Sequence, residues 1–455
     1  MTFPKYPDYK DSGVKWLSDV PEHWDVRRNK HAFRIVSTLV GSKSKDFQLL
    51  SLTLRGVIPR DIESGKGKFP AEFDTYQTVE PDDLVFCLFD IDETPRTVGI
   101  SGDSGMITGA YTVVRAFASA DPRFIYYYYF SIDLRKGLKP FYTGLRKVVR
   151  PETFMNIELP LPPLSEQANI CDFLDHESAR IDALIDEQQR LIELLKEKRQ
   201  AVISDAVSKG LDPTVPMKDS GVAWLGEVPT HWTIKRLKQL VIDTAGIQMG
   251  PFGGMLIDLD DSDTGYKVYG QENTISGNFS SGNRWVAESR YCALSNYHLE
   301  VGDIVLTRKG SLGNCRRISF LPQAGIIDSD TIRVRVQEHM MNPDYLELLL
   351  HEAGYISTQL SLVKRGAILS GLNSEIIANL VIVAPPREEQ KELLQEVSAA
   401  SSKFDQGISD CEYAMGLLRE RRSALISAAV TGKIDVRGWQ SPASAPTPEL
   451  AQEAV

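Results

Sequence analysis

The chain uses one segment twice, and this internal repeat constrains its fold more than any other feature. Residues 10–24 and 218–232 share the pattern S-G-V-x-W-L-x-x-V-P-x-H-W, with 11 of 15 positions identical. A second pair of segments, 162–207 and 385–430, aligns at a constant offset of 223 residues. Such repetition indicates one structural plan used twice. Because the sequence between the repeated parts differs, the two halves are predicted to recognise two different targets.

Composition places the chain among globular proteins. Its 455 residues are 42% hydrophobic and 25% charged, which argues against disorder and predicts several domains. No apolar run approaches the ~20 residues of a membrane span, and the N-terminus lacks a signal-peptide core. A cytoplasmic location without a membrane partner is therefore expected. The five cysteines have no metal-ligand spacing and cannot all pair, so buried thiols and no cofactor or metal are expected.

The net charge of −10 is unevenly distributed. Residues 165–208 hold ten acidic and five basic side chains, and residues 388–431 hold eight and five, so these two segments carry −8 of the total. The rest of the chain is nearly neutral and free to present local basic faces. Overall acidity neither excludes a DNA partner nor supports one.

The same two acidic segments are predicted to be long helices of about 66 Å each. Each shows a heptad seam, with large residues in one facing smaller residues in the other, which predicts an antiparallel pair. The alternative is that each helix packs only on its own globular domain. The first seam consists of Leu174, Ile181, Leu184, Gln188, Leu191, Leu195 and Val202. The second consists of Val397, Phe404, Gly407, Cys411, Ala414, Leu418 and Leu425.

The variable segments, 25–157 and 233–380, mix strand and helix patterns. Apolar runs at 83–89 and 303–307 follow turn residues and predict strands. Asp121 and Asn342 each precede a proline and an apolar stretch, as N-caps do. Tyrosines 126–129 are interpreted as part of a packed helix rather than as a base-stacking platform. His23 and His231, inside the repeated motif, are interpreted as packing or hydrogen-bonding residues.

A search for catalytic motifs finds no phosphate-binding loop, nucleophile elbow or zinc-protease helix. An acidic cluster at 258–263 lacks the spacing of a calcium loop and predicts a solvated turn. Asp90, Asp92 and Glu93 follow a strand, where nuclease carboxylates can lie, but no lysine nearby in the sequence completes such a set. Catalysis is not expected there.

Basic and amide side chains cluster in loops of both variable segments, which favours DNA binding. Individually each is an ordinary surface residue; their shared location supports the hypothesis. The candidates in the first half are Arg55, Arg60, Lys66, Lys68, Arg146, Lys147 and Arg150. Those in the second half are Gln271, Asn273, Arg284, Arg308, Lys309, Arg316, Lys364 and Arg365.

Several motifs point to a known family. They are the repeated 13-residue pattern, L-P-L-P-P-L-S-E-Q at 159–167, G-P-F-G-G at 250–254, Y-G-Q-E-N at 269–273, and G-D-I-V-L-T-R-K-G-S-L-G at 302–313. In this combination the chain resembles the specificity subunit of type I restriction-modification systems over nearly its whole length. The first variable segment departs from the pattern, since it has no G-P-F-G-G or G-Q-N counterpart.

The resemblance implies an α/β fold. Two target-recognition domains would lie in a pseudo-two-fold arrangement, separated by two long antiparallel coiled-coil helices. The implied boundaries are a first recognition domain at 1–164, a long helix at 165–210, a second recognition domain at 211–387, a long helix at 388–432 and a disordered tail at 433–455.

The resemblance also implies function. Such a chain recognises a bipartite, asymmetric site in double-stranded DNA and scaffolds two methyltransferase subunits together with restriction subunits, without catalytic activity or a cofactor of its own. A duplicated-domain nuclease or hydrolase is the alternative, but it would need a catalytic set in at least one half. A purely structural coiled-coil adaptor would leave the divergent segments unexplained.

Overall fold

The computed structural model describes residues 3–14, 16–60, 73–142, 147–222, 224–243, 245–256, 265–308, 314–366 and 371–440, with the side chains of 363–366 excepted. It divides into two compact units. The first unit comprises Met1–Gln188 and Glu412–Val455, and the second comprises Gln189–Cys411. Each unit therefore contains part of both long helices.

The first unit consists of short strands, short helices and parts of both long helices. Its strands are β1 (Tyr9–Lys10), β2 (Val20–Pro21), β3 (Asp25–Arg28), β4 (Phe33–Val36), β5 (Leu50–Thr53), β6 (Gly56–Pro59), β7 (Gln77–Val79), β8 (Leu84–Phe86), β9 (Val98–Ile100), β10 (Gly105–Ile107), β11 (Thr112–Ala116) and β12 (Glu158–Leu161). Its α-helices are α1 (Pro122–Asp133), α2 (Pro151–Met155), the first part of α3 (Leu164–Lys209) and the last part of the second long helix.

The second unit follows the same plan with more helix. Its strands are β13 (Met217–Asp219), β14 (Glu227–Pro229), β15 (Thr233–Arg236), β16 (Ile247–Met249), β17 (Tyr266–Tyr269), β18 (Trp285–Val286), β19 (Ile304–Thr307), β20 (Cys315–Arg317), β21 (Gly325–Ile327), β22 (Thr331–Val334) and β23 (Val381–Ala384). Its α-helices are the last part of α3, α4 (Gln271–Ser276), α5 (Glu288–Ala293), α6 (Pro343–Glu352), α7 (Gly354–Gly366), α8 (Ser374–Ala378) and the first part of α9 (Arg387–Val430).

Each unit contains its own four-stranded antiparallel sheet, and the similarity of the two sheets is not visible in the sequence. In the first unit an antiparallel sheet has the order β4-β11-β8-β9, and in the second the order β16-β22-β19-β20 is its counterpart. The distant ends of each variable segment also pair, as β3 with β12 and as β15 with β23. The frame of each unit is therefore closed by strands that are far apart in sequence.

The same type of ion pair occurs at the start of β8 and at the start of β19. Arg115 Nε lies 2.7 Å from Asp83 Oδ1, and Arg335 Nε lies 2.6 Å from Asp303 Oδ1. Both aspartates are 0–1% exposed. Each also accepts a hydrogen bond from the backbone N–H of the residue three positions earlier, Glu80 or Glu300. A buried carboxylate is tolerated only when paired and hydrogen-bonded in this way. Of the two predicted strands, the one at 303–307 is confirmed as β19, whereas the one at 83–89 is shorter and covers only β8, Leu84–Phe86.

The long helices contact each other through equivalent charges in each unit. Within the first unit Arg422 of α9 pairs with Asp182 of α3. Within the second unit Arg199 Nε of α3 lies 3.3 Å from Asp405 Oδ1 of α9. The two pairs are related by the 223-residue offset, and each joins an early turn of one helix to a late turn of the other. In each unit a side chain of α3 therefore pairs with a side chain of α9.

The predicted seam of α3 is wrong at Leu184, Leu191 and Val202, which are 36–41% exposed. Each precedes an isoleucine, and Ile192 and Ile203 are the buried residues instead, at 2% and 1% exposure. Neighbours on a helix point about 100° apart, so only one of two adjacent apolar residues can face a partner. A hydrophobic pattern in the sequence does not show which of the two adjacent apolar residues is buried.

The helix caps and the tyrosine cluster agree with expectation. Asp121 Oδ1 accepts the N–H of Arg123 at 2.8 Å, and Asn342 Oδ1 accepts that of Asp344 at 3.0 Å. Tyr128 and Tyr129 are each 1% exposed in α1, which confirms a packed helix. The cysteines are free thiols, four of them buried.

The disorder expected from residue 433 onward is wrong for residues 433–440. Val436 is 2% exposed, and the Trp439 ring lies 5.6 Å from that of Phe173. Asp435 donates its backbone N–H to the carbonyl of Pro4 at 2.8 Å. Apolar side chains in a tail that looks polar overall are what allow it to pack here. Residues 441–455 lie outside the described part of the chain.

Candidate nucleic-acid interface

The repeated motif is built around a glutamate in the first turn of each long helix. Glu166 of α3 is 5% exposed and accepts hydrogen bonds from Tyr6 Oη at 2.6 Å and Trp24 Nε1 at 2.9 Å, with His23 Nε2 at 2.7 Å. Buried carboxylates require such partners. The repeated His-Trp pair is therefore a clamp on the helix N-terminus, which confirms the hydrogen-bonding interpretation of His23.

The second unit repeats this clamp. Glu389 of α9 accepts a hydrogen bond from Trp232 Nε1 at 2.9 Å, and its other oxygen lies 2.8 Å from His231 Nε2. A carboxylate at the first turn also complements the partial positive charge of a helix N-terminus. The same chemistry thus fixes both frames.

The glutamine that follows each glutamate ties the long helix to the variable segment. Gln167 Oε1 accepts the N–H of Asp121, and Gln390 Oε1 accepts that of Asn342, both at 2.7 Å. Both glutamines are fully buried. A long helix therefore positions the helix cap of each variable segment, and the loops of that segment start from this fixed point.

In the second unit three predicted landmarks converge on residues 328–331. Gly250 donates its N–H to the carbonyl of Thr331 at 3.0 Å, Asp328 donates to Tyr269 at 2.9 Å, and Arg308 donates to Asp330 at 2.9 Å. A Cβ at Gly250 would lie 1.8 Å from the Asp328 carbonyl, so only glycine fits. The structure thus brings the G-P-F-G-G, Y-G-Q-E-N and strand-end motifs to one edge.

Arg308 is engaged with the protein at this edge. Its Nε donates to the carbonyl of Leu372 at 3.1 Å and a terminal nitrogen donates to that of Ser329 at 3.3 Å. Its guanidinium lies 5.3 Å from the ring centroid of Phe252, which is 49% exposed. Arg308 therefore supports an exposed aromatic side chain, which the sequence did not suggest as a site residue.

The amide and guanidinium candidates near α4 have different environments. Asn273 is 1% exposed, accepts the N–H of Gly270 and donates to the carbonyls of Asn278 and Ser281, each at 2.9 Å. Its amide is thus committed to shaping the loop. Gln271, at the start of α4, is half-buried.

The arginines of this region are partly neutralised. Arg284 donates to Glu272 at 2.8 Å and to Asp328 at 2.9 Å. Arg316 lies 3.9 Å from Glu347. Neither presents an unpaired charge, so each would have to exchange a carboxylate for a phosphate to bind DNA. Lys309 lies outside the described residues, and Lys364 and Arg365 belong to α7, where their side chains are not described.

The first unit has a short turn where the second has α4. Arg55 is exposed at the turn between β5 and β6, and Arg60 is half-buried just after β6. The short turn between β5 and β6 accounts for the missing G-Q-N motif, since in the second unit α4, which needs Asn273, connects the paired strands β17 and β18. Lys66, Lys68 and Arg146 lie outside the described residues.

The expectation that no lysine accompanies Asp92 and Glu93 is wrong. Lys147 Nζ lies 3.1 Å from Asp92 Oδ2 and 2.7 Å from Glu93 Oε1. The chain folds back to bring residues 54 or 55 positions apart together, which spacing cannot show. In the described residues no three His, Cys, Asp or Glu side chains form a metal-binding group. Arg150 is exposed nearby, at the start of α2.

Sequence reasoning missed the clamp glutamates and Phe252. The signal for the former was present: Glu-Gln recurs at the start of both long helices at the same offset. A signal for Phe252 was present as well, since it lies within the G-P-F-G-G motif. Among the described helices none is both long and apolar enough to cross a membrane.

The geometry defines a class of protein: a duplicated mixed α/β frame that presents different loops from equivalent positions. Residues 108–194 match the model of the type I restriction modification DNA specificity domain. The chain is 24% identical over 301 residues to the type I restriction enzyme EcoKI specificity subunit of Escherichia coli, covering 64% of this chain and 61% of that one. It is 24% identical over 327 residues to the MjaVIII specificity subunit of Methanocaldococcus jannaschii, covering 68% and 70%.

Solved structures share the fold over a longer span. One, from a study of complex assembly and conformational transition of the type I R-M system, gives a TM-score of 0.66 at 15% identity, covering 90% of this chain and 98% of that one. The HsdS subunit from Thermoanaerobacter tengcongensis gives 0.53 at 16% identity, covering 91% and 98%. The resemblance to type I specificity subunits that the motifs indicated is therefore confirmed.

Proposed function

We propose that this chain is the DNA-recognising specificity subunit of a type I restriction-modification complex and has no catalytic activity of its own. The observation that carries the proposal is the duplicated clamp and sheet, which hold dissimilar loops at equivalent places. Each unit would read one half of a bipartite site in double-stranded DNA. The two α/β recognition domains would be related by a pseudo-two-fold axis and separated by the antiparallel pair of long helices.

Partners follow from the same proposal. Two methyltransferase subunits would bind the repeated frame, since two equivalent surfaces suit two copies of one partner. Restriction subunits would complete the complex. The subunit would act in the cytoplasm, where the DNA is.

The proposed DNA contacts come from the variable segments of both units. In the first unit they are Arg55, Arg60, Lys66, Lys68, Arg146, Lys147 and Arg150; in the second they are Gln271, Arg308, Lys309, Arg316, Lys364 and Arg365, with Asn273 and Arg284 shaping the surface. Cations that meet only phosphate position the DNA, whereas Gln271 has the donor and acceptor pair that recognises adenine.

The test is to express the chain with the methyltransferase subunit encoded beside it, in a host without adenine methylation, and to sequence the methylated sites. The expected result is one split motif that disappears when the chain is omitted. Exchanging residues 25–157 for the same segment of a relative should change one half of the motif only. Methylation that does not depend on the chain would contradict the proposal.

A further inference from the structure

A pair of carboxylates holds the lysines of the first unit's predicted DNA-binding loop. Asp92 Oδ2 lies 3.1 Å from Lys147 Nζ and 3.9 Å from Lys139 Nζ, and Glu93 Oε1 lies 2.7 Å from Lys147 Nζ. All these side chains reach solvent, and Glu93 is 71% exposed. The cluster therefore lies on the surface where a phosphate backbone would approach.

The carboxylates are held in place. Asp90, at a φ of 43°, donates its backbone N–H to the carbonyl of Lys147 at 2.8 Å. Tyr142 Oη accepts the N–H of Ile91 at 2.7 Å and donates to Asp92 Oδ1 at 3.1 Å. Hydrogen bonding from Lys147 lowers the pKa of Asp92, and Glu93 and Asp92 raise the pKa of Lys147. Both partners therefore stay charged near neutral pH.

The equivalent loop of the second unit has the opposite character. The two loops correspond because Val149 donates its N–H to the carbonyl of Leu88 at 2.7 Å, just as Leu372 donates to Arg308 at 2.9 Å. Residues 308–314 read R-K-G-S-L-G-N and contain no acidic side chain. Acidic residues at this strand end are thus a property of the first unit's loop, and the shared frame does not require them.

We propose that Asp92 and Glu93 act as specificity-determining residues that suppress binding of the first unit to non-target DNA. This inference rests on the proposed function. Phosphates must displace the carboxylates before Lys147 and Lys139 can bind DNA, and each such lysine would otherwise add to sequence-independent affinity. On the target sequence, contacts with the bases offset the free-energy cost of breaking these ion pairs. On random DNA no such contacts offset it.

The experiment measures binding of the purified full-length chain to a random-sequence duplex by fluorescence anisotropy between 50 and 200 mM salt. The variant is D92N/E93Q, and the matched control is D186N/E187Q, which makes the same charge change on the exposed face of α3. Each released lysine adds about 0.9 to the salt slope. The variant should therefore gain about 1 to 2 in slope, and each released lysine should add about a three- to fourfold affinity difference across this salt range.

A third variant, D92N/E93Q/K147A, should lose about half of that gain, because Lys139 alone remains released. Thermal melts of all variants confirm that they fold. An unchanged slope in D92N/E93Q, a gain of the same size in D186N/E187Q, or a full gain without Lys147 would each overturn the inference while leaving DNA binding intact. If neither the unaltered chain nor any variant bound duplex DNA in a salt-dependent way, the proposed function itself would be overturned.

Discussion

In each unit the histidine and the tryptophan of the repeated motif bind one carboxylate, Glu166 or Glu389. Glu166 serves three donors at once, from side chains 142 to 160 residues away in sequence. Tyr6 and Trp24 are buried beside this carboxylate and His23 bonds it from the surface, which explains why the motif is retained in both copies while the loops differ. The residue types of the motif are thus set by a helix start that lies far along the chain.

Replacing Glu166 by Gln should lower the free energy of unfolding of the first unit by about 1–3 kcal/mol, because an amide NH₂ would face a buried donor. Urea unfolding followed by tryptophan fluorescence measures the change. Glu187→Gln, on the exposed face of the same helix, is the control and should change stability little. Equal midpoints for the two variants would show that the clamp does not stabilise the unit.

Glu352 should make the second unit's stability depend on pH. Hydrogen bonds from His351 and then Arg199 lower its pKa from 4.5 to about 2. A folded-state pKa below the unfolded value means that the ionised carboxylate stabilises the fold above pH 4.5, and that this is lost as pH falls from 4.5 towards 2. Glu352→Gln should therefore be less stable than the natural chain at pH 7, with the difference shrinking below pH 4.5. Urea unfolding at pH 7, 5 and 3.5 tests this, with Glu396→Gln as control; a difference independent of pH would contradict it.

At the scale of elements, the long helices depend on which side chains face each other. Gly407 of α9 lies against Leu195 of α3, whose Cδ1 would be 3.4 Å from a Cβ built on the glycine. Gly416 of the same helix has no neighbour within 4 Å of that position. A Cβ would therefore touch the other helix at Gly407, where a larger side chain would crowd Leu195, and would meet open space at Gly416.

Gly407→Leu should accordingly destabilise the second unit by about 1–3 kcal/mol through overpacking. Gly416→Leu should be neutral or stabilising by up to about 1 kcal/mol, because leucine favours helix over glycine. Circular dichroism melts of both variants decide the matter. Similar losses at the two positions would mean that helix packing at Gly407 is not close.

The type of each helix or strand could be predicted from the local sequence pattern. Which of its side chains face a neighbouring element could not. The long helices and the caps at Asp121 and Asn342 follow from spacing and from side chains that bond within two residues. The choice of Ile192 over Leu191 for burial depends on the partner helix, which local pattern does not contain. The short turn between β5 and β6, where the second unit has α4, is a tertiary choice of the same kind.

At the scale of the whole molecule, the proposed function makes the helix pair a ruler between two half-sites. Inserting seven helical residues after Gln188 and seven after Cys411, positions related by the 223-residue offset, would keep the heptad register and add about 10 Å. DNA rises 3.4 Å per base pair, so the spacer of the methylated motif should lengthen by about three base pairs with unchanged half-sites. Methylome sequencing reads this out.

An insertion in one helix alone is the control and should reduce methylation, because it shifts Arg199 away from Asp405 or Asp182 away from Arg422. New half-site bases at constant spacing would mean that the helices do not set the spacing.

The sequence by itself determined the duplication, the two long helices, the divergent loops between repeated frames and the family resemblance. These depend on periodicity and on identity between segments, which a linear pattern contains. Tertiary structure alone decided that Glu166 joins His23 and Trp24, that Arg308 supports Phe252, and that Lys147 meets Asp92 and Glu93. Each of these contacts joins side chains more than 50 residues apart. Their partners are chosen by how the sheet and the helix ends fold back, and no local rule of charge or spacing encodes that choice.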